Sequence, residues 1–240
     1  MVRLMPLMKM ICLLTFCLLP ISQSFAEDKG FESLFNGKTL EGWDGNPDFW
    51  SVEEGTITGQ TTAENPTKGN TFLIYRGGDA SNFELQLEYK IIGGNSGIQY
   101  RSFEVENAKW VVGGYQADFE AGKTYSGILY GERFRGILAN RGQQTELVRE
   151  DGKFQVKVVG SVGDSASIQS HIKNEDWNTY TITAKDFHFV HKINGIVTAE
   201  CTDNDMKERR DSGILALQLH AGPPMKVQFR NIRLKQLSAE

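Results

Sequence analysis

Apolar and polar residues alternate with a period of two along most of the chain. Phe83-Glu84-Leu85-Gln86-Leu87-Glu88-Tyr89, Gly97-Ile98-Gln99-Tyr100-Arg101, Phe154-Gln155-Val156-Lys157-Val158, Tyr180-Thr181-Ile182-Thr183-Ala184 and Val227-Gln228-Phe229-Arg230-Asn231-Ile232-Arg233-Leu234 each sort their side chains onto two faces, which predicts half-buried strands. Turn signals fall between them at Glu53-Glu54-Gly55, Gly93-Gly94-Asn95, Asp151-Gly152 and Ile193-Asn194-Gly195-Ile196, the last a strong two-residue hairpin signal. About a dozen short strands without a linker, heptad run or internal repeat predict one all-β domain. A two-sheet antiparallel sandwich or jelly roll fits better than the smaller immunoglobulin-like fold. Helix is expected only in short pieces, and the charged run from Asp203 to Asp211 reads as a solvated loop or single turn.

The amino terminus departs from this pattern. Arg3 and Lys9 precede the apolar run Ile11 to Ile21, and Ser24-Phe25-Ala26 supplies small residues where signal peptidase cuts. The expected organisation is a signal peptide over 1–26 and a single domain over 27–240, secreted or periplasmic and free of the membrane once the signal is removed. Cleavage takes away Cys12 and Cys17, so Cys201 remains without a disulfide partner and is expected to be a buried small hydrophobe. It also takes away two positive charges, moving the net charge from −4 to −6. That balance offers nothing to neutralise phosphates and argues against a nucleic-acid partner.

Alternation also assigns polar side chains to faces. Ile98 and Tyr100 take the apolar face of their strand, leaving Asn95, Gln99 and Arg101 on the other; Gln116 and Asp118 project together; Gln218 and His220 oppose Leu215, Leu217 and Leu219. These amide-rich pairs suit a hydroxyl-rich ligand, for which a sugar is the natural guess. Trp43, Trp50, Trp110, Tyr115 and Tyr130 lie in or beside Gly-rich stretches, where each either stacks on a sugar ring or packs in the core. No G-x-S-x-G elbow, P-loop, dinucleotide fingerprint or H-E-x-x-H motif is present. His188 and His191, three apart on one strand, should face opposite ways. Asp118 and Glu132 are candidates for a glycosidase carboxylate pair, and His220, at a strand end before Gly222-Pro223, is the better general acid/base.

The opening Phe31-Glu32-Ser33-Leu34-Phe35-Asn36-Gly37-Lys38-Thr39-Leu40-Glu41-Gly42-Trp43 resembles that of the 3-keto-disaccharide hydrolase domain family. The likeness continues through Trp50 to Gly59, Asn95 to Arg101, Gly114 to Asp118, Trp177 to Tyr180, His191 to Gly195, Leu217 to His220 and Val227 to Leu234, covering Phe31 to Leu237. The segment Gly127 to Gly142, with Arg133, Arg135 and Arg141, resembles a subgroup with a longer loop, in which the arginines either reshape substrate choice or are structural. The resemblance implies a concanavalin A-like jelly roll with a ligand groove, export, and action on sugars whose C3 hydroxyl has become a ketone. A C3 ketone acidifies C2–H, so a base can form an enolate that expels the C1 substituent, and water then adds. On this reading His220 or Asp118 is the base, Arg101 with Gln99 and Gln218 donates to enolate and hydroxyls, and Glu132 protonates the leaving oxygen. Gln116, Tyr115, Tyr130 and Trp110 complete the expected sugar contacts. No cofactor is expected, although a divalent metal at the carboxylate and histidine end could polarise the ketone. The partner is a small-molecule carbohydrate. The competing readings are a non-catalytic carbohydrate-binding jelly roll and a cell-surface adhesion protein.

Overall fold

The alternating segments assemble into two sheets packed face to face. The computed structural model describes residues 30–238, so the signal peptide expected over 1–26 lies outside the described residues. One sheet has ten strands, in the order β12 (Lys153–Ser161), β11 (Gln143–Glu150), β15 (Ile196–Asp203), β14 (His188–Ile193), β13 (Asn178–Lys185), β6 (Phe83–Ile92), β17 (Met225–Gln236), β4 (Thr56–Thr61) and β3 (Trp50–Glu53), with β1 (Glu32–Ser33) also paired to β17. The other has seven: β10 (Gly136–Ala139), β9 (Leu129–Glu132), β8 (Val112–Glu120), β7 (Asn95–Glu104), β16 (Ile214–Leu219), β5 (Thr71–Tyr75) and β2 (Trp43–Asp44). The one helix among the described residues, α1 (Ser165–Ser170), is capped by Asp164, whose side chain accepts from the Ser167 N–H. The all-β sandwich is as expected, with more strands than the sequence pattern counted. It departs from purely antiparallel pairing where β11 runs parallel to β15.

Three of the turn signals make hairpins with positive φ at both central residues: Glu54-Gly55, Asp151-Gly152 and Asn194-Gly195. Gly93-Gly94 has the same positive φ, yet it carries the chain from β6 in one sheet to β7 in the other. Gly94 lies against the Met225 side chain, which a Cβ would strike at 2.8 Å.

Between the sheets, Leu85, Leu87, Tyr89, Tyr180, Ile182, Val227 and Phe229 of the large sheet meet Ile98, Tyr100, Tyr115, Ala117, Phe119, Leu217 and Leu219 of the small one. Tyr89 and Phe119 lie with ring centroids 3.9 Å apart, and Tyr115 packs on Phe189 at 4.6 Å. Cys201 is buried there, its thiol pushed up to about 12 by desolvation, as a small hydrophobe should be. His191 also points inward, its Nε2 3.0 Å from the Tyr100 hydroxyl, and burial lowers its pKa to about 3, so it is neutral. His188 points the other way, toward Thr202 and Glu200. Trp43 and Trp50 belong to this core as well, which removes them from sugar stacking.

Three sequence expectations give way to tertiary structure. Strand β12 is the outermost of its sheet, so Val156 and Val158 are exposed rather than half-buried. The Val227 to Leu234 alternation slips by one residue at Asn231, where φ is 53° and the register to β6 shifts, so Phe229 and Ile232 both point inward. The charged run is not solvated throughout. Asp203 and Asp205 are buried and bind Arg135 and Arg149 in an ion network that also takes the Tyr115 hydroxyl.

Candidate functional site

The outer face of the seven-stranded sheet, turned away from the core, carries a polar cleft of about 640 Å³. Register puts Gln99 opposite Gln116 and Gly97 opposite Asp118, with β16 on the other side of β7. Gly97 is a glycine for a reason visible in this arrangement: the Gln116 side chain lies across it, and a Cβ there would sit 2.5 Å from Gln116 Cδ.

The amides form a chain. Gln99 Nε2 and Gln218 Nε2 both donate to Gln116 Oε1, the second at 3.0 Å; Gln116 Nε2 donates to Asp118 Oδ2 at 3.4 Å, and Gln218 Nε2 to Glu132 Oε2 at 3.3 Å. Asp118 also accepts from Asn95 Nδ2 at 2.7 Å, and Ser102 Oγ donates to Gln99 Oε1 at 2.8 Å. The two carboxylates are therefore joined through glutamines. Glu132 faces Gly114, four residues along β8 from Asp118, or about 13 Å at the backbone.

Asp118 is only 6% exposed. Burial pushes its pKa up to about 7, against the hydrogen bonds from Asn95 and Gln116, and the nearby Glu120 and Glu132 push the same way. A carboxyl group half-protonated near neutrality can give or take a proton. Tyr130, half-buried on β9, has its pKa raised by burial and by the Glu132 and Asp118 charges, so its hydroxyl keeps its proton and can donate. His220 is half-buried on the rim. Its Nδ1 lies 2.5 Å from the Ala221 carbonyl oxygen, which can only accept, so Nδ1 carries the proton and Nε2 keeps its lone pair in the neutral ring.

Asp118, Glu132, His220, Gln116 and Tyr130 thus share one cleft. Gln99 and Gln218 lie beneath it, fully buried, with their N–H groups committed to Gln116 and Glu132. They form the floor of the cleft, and Gln218 Oε1 is buried there without a hydrogen-bond partner. The remaining three expected site residues lie elsewhere. Arg101 sits at a β-bulge with φ of 45°, where the β7–β8 register shifts, and its side chain turns away from the cleft. It donates to the Ser81, Asp186 and Arg210 carbonyls and to Asn82, lying 5.3 Å from the core Phe189 ring. Tyr115 alternates with Gln116 and so points into the core. Trp110 fixes the loop before β8 to the sheet edge, its Nε1 donating to Asp44 at 2.8 Å and its carbonyl accepting from Phe72. In the longer loop, Arg135 is in the buried ion network and Arg141 donates to the Thr124, Ser126, Lys123 and Ser165 carbonyls, so both are structural.

Asn70 was not foreseen. It donates to Glu132 Oε1 at 3.3 Å and accepts from the Ala221 N–H at 3.0 Å, tying the His220 turn to Glu132. Its signal was the pairing of Thr71 with Leu219, which sets Asn70 opposite His220. Among the described residues, no three His, Cys, Asp or Glu side chains converge closely enough to hold a metal ion, and no helix is long and apolar enough to cross a membrane.

Residues 30–235 match the profile of a family described as "3-keto-alpha-glucoside-1,2-lyase-like domain". A 3-keto-disaccharide hydrolase of Bacteroides thetaiotaomicron is 36% identical over 86 residues, covering 32% of this chain and 29% of that protein. The chain thus spans under a third of that curated relative. Among solved structures, a glycosyl hydrolase candidate from Parabacteroides distasonis aligns with a TM-score of 0.57 at 20% identity, over 87% of this chain and 94% of that one. A carbohydrate-binding module from Bacillus subtilis aligns at 0.51 and 14%, over 81% and 96%. At these identities the structures speak to fold alone.

Proposed function

Because the chain belongs to the 3-keto-alpha-glucoside-1,2-lyase-like domain family, we propose that it is an exported enzyme that cleaves the glycosidic bond of 3-keto-glycosides by elimination and hydration. The observation that carries this reading is the shared cleft: a histidine whose Nδ1 faces a carbonyl oxygen, a buried carboxyl group whose pKa is pushed up to about 7 and a phenol whose pKa is raised stand on one sheet face. Elimination needs a base, an acid and an oxyanion donor, and these groups supply one of each.

In the proposed reaction His220 Nε2 takes the C2 proton, and the C2–H electrons move to form an enolate whose oxygen is the former C3 ketone. Tyr130 donates a hydrogen bond to that oxygen. The enolate then re-forms the ketone, the C1–O bond breaks, and protonated Asp118 gives its proton to the leaving oxygen. Water adds to C1 of the resulting enone and C2 is reprotonated, so the net result is hydrolysis. Glu132, held by Asn70 and Gln218, accepts hydrogen bonds from sugar hydroxyls and is the second candidate for the leaving-group acid.

A substrate deuterated at C2 tests the step directly. The expected result is slowed release of the leaving group together with transient enone absorbance. Release at an unchanged rate with no enone would mean displacement at C1 and would refute the elimination.

A further inference from the structure

A second cleft, of about 740 Å³, opens on the other side of the 121–126 loop and meets the first at Glu120, which lines both. Its floor is apolar, made by Tyr89, Ile91 and Ile172; its wall is α1 with the segment that follows it. Tyr89 is 1% exposed and its hydroxyl has no hydrogen-bond partner among the protein atoms. Gln169, on α1, likewise has a buried side-chain oxygen with no donor. A phenol that keeps its proton needs an acceptor, and an amide oxygen needs a donor. One hydroxyl-bearing ligand supplies both.

The charges lining this cleft balance: Glu120, Asp164 and Glu175 stand with Lys123, Arg141 and Lys173. Arg141 is already committed to backbone carbonyls, which leaves no fork for a phosphate or an acidic sugar. The lining therefore favours a neutral ligand with one apolar face and hydroxyls at its edge, and the volume suits a small molecule.

We propose that this second cleft is a binding site for a neutral sugar unit, with the ring against Tyr89, Ile91 and Ile172 and its hydroxyls bonded to Tyr89 Oη and Gln169 Oε1. The choice of a sugar among neutral hydroxyl-bearing ligands rests on the carbohydrate reading of the first cleft.

The test is a titration of the full domain with unoxidised maltose, trehalose and lactose, followed by amide correlation spectra. The expected result is perturbation of residues 164–175 and 121–123, lost in Ala166→Trp, which fills the cleft from an exposed rim position. Tyr89→Phe keeps the ring and should weaken binding about three- to tenfold, the effect of one hydrogen bond. Perturbations confined to the Asn95, Asp118 and Tyr130 cleft, perturbations at neither cleft, or perturbations unchanged by Ala166→Trp would each overturn the proposal. Ala166→Trp keeps the test decisive if Tyr89→Phe fails to fold. Failure to turn over a keto sugar would defeat the elimination reading and leave this result untouched.

Discussion

The outer faces of the two sheets follow the same alternating rule and come to opposite ends. On the ten-stranded sheet many outward residues are part-exposed and pair across strands, as Arg230 does with Glu88 at 2.7 Å and Arg233 with Gln86. On the seven-stranded sheet Gln99, Gln116, Asp118, Glu132 and Gln218 are all buried beneath loops and neighbouring side chains. Polar groups taken out of water need partners, and a buried carboxyl group resists ionisation. The solvated face contributes solubility and little stability. The buried face holds amides at fixed positions and shifts a proton equilibrium, which is what a binding or catalytic surface requires.

The contrast can be broken most sharply at His220. His220→Ala should lower kcat on a 3-keto-glycoside by roughly 10²- to 10⁴-fold, the usual share of a general base, with the unfolding midpoint nearly unchanged. Asp118→Asn comes next. The folded pKa of about 7 lies above the ordinary 3.8, so the unfolded chain ionises first as pH rises. Asp118's contribution to stability is full below the ordinary value and is lost as pH passes through about 7. Asn should therefore gain on wild type across that window, by up to roughly 4 kcal/mol, as urea titrations at acid and neutral pH would show. If Asp118 is the acid, wild-type kcat falls above about 7 and the variant loses that limb. Gln116→Leu leaves Gln99 and Gln218 without their acceptor and should cost about 2 kcal/mol in denaturant unfolding. Arg230→Ala, on the solvated face, should cost under about 1 kcal/mol and leave turnover alone.

How much of this could be read from the chain depends on whether a residue keeps phase with its strand. Gln116, Asp118 and His220 keep phase, so alternation put each on the face of its strand turned from the core, and the β8-β7-β16 order joined those faces. The same rule placed Tyr115 opposite Gln116, and its expected sugar contact conflicted with that rule. Arg101 was misplaced because a bulge adds a residue, and no local feature of Asn95 to Arg101 announces one. Asp203 and Asp205 looked solvated because their partners, Arg135 in the turn between β9 and β10 and Arg149 on β11, lie far away in sequence. Asn70 was missed for a related reason: it acts from a strand end, and only the pairing of β5 with β16 brings it to His220. Local pattern fixes elements and faces, whereas bulges, sheet order and long-range ion pairs decide which faces become sites.

The most direct test of the account is turnover of a 3-keto-disaccharide beside its unoxidised parent, with and without chelator, following release of the leaving sugar. Release from the keto form alone, abolished by His220→Ala, is the predicted result; chelator sensitivity would add a metal to the mechanism. Equal cleavage of the parent, or saturable binding of either sugar without release, would contradict it, and the latter would make the domain a carbohydrate-binding module.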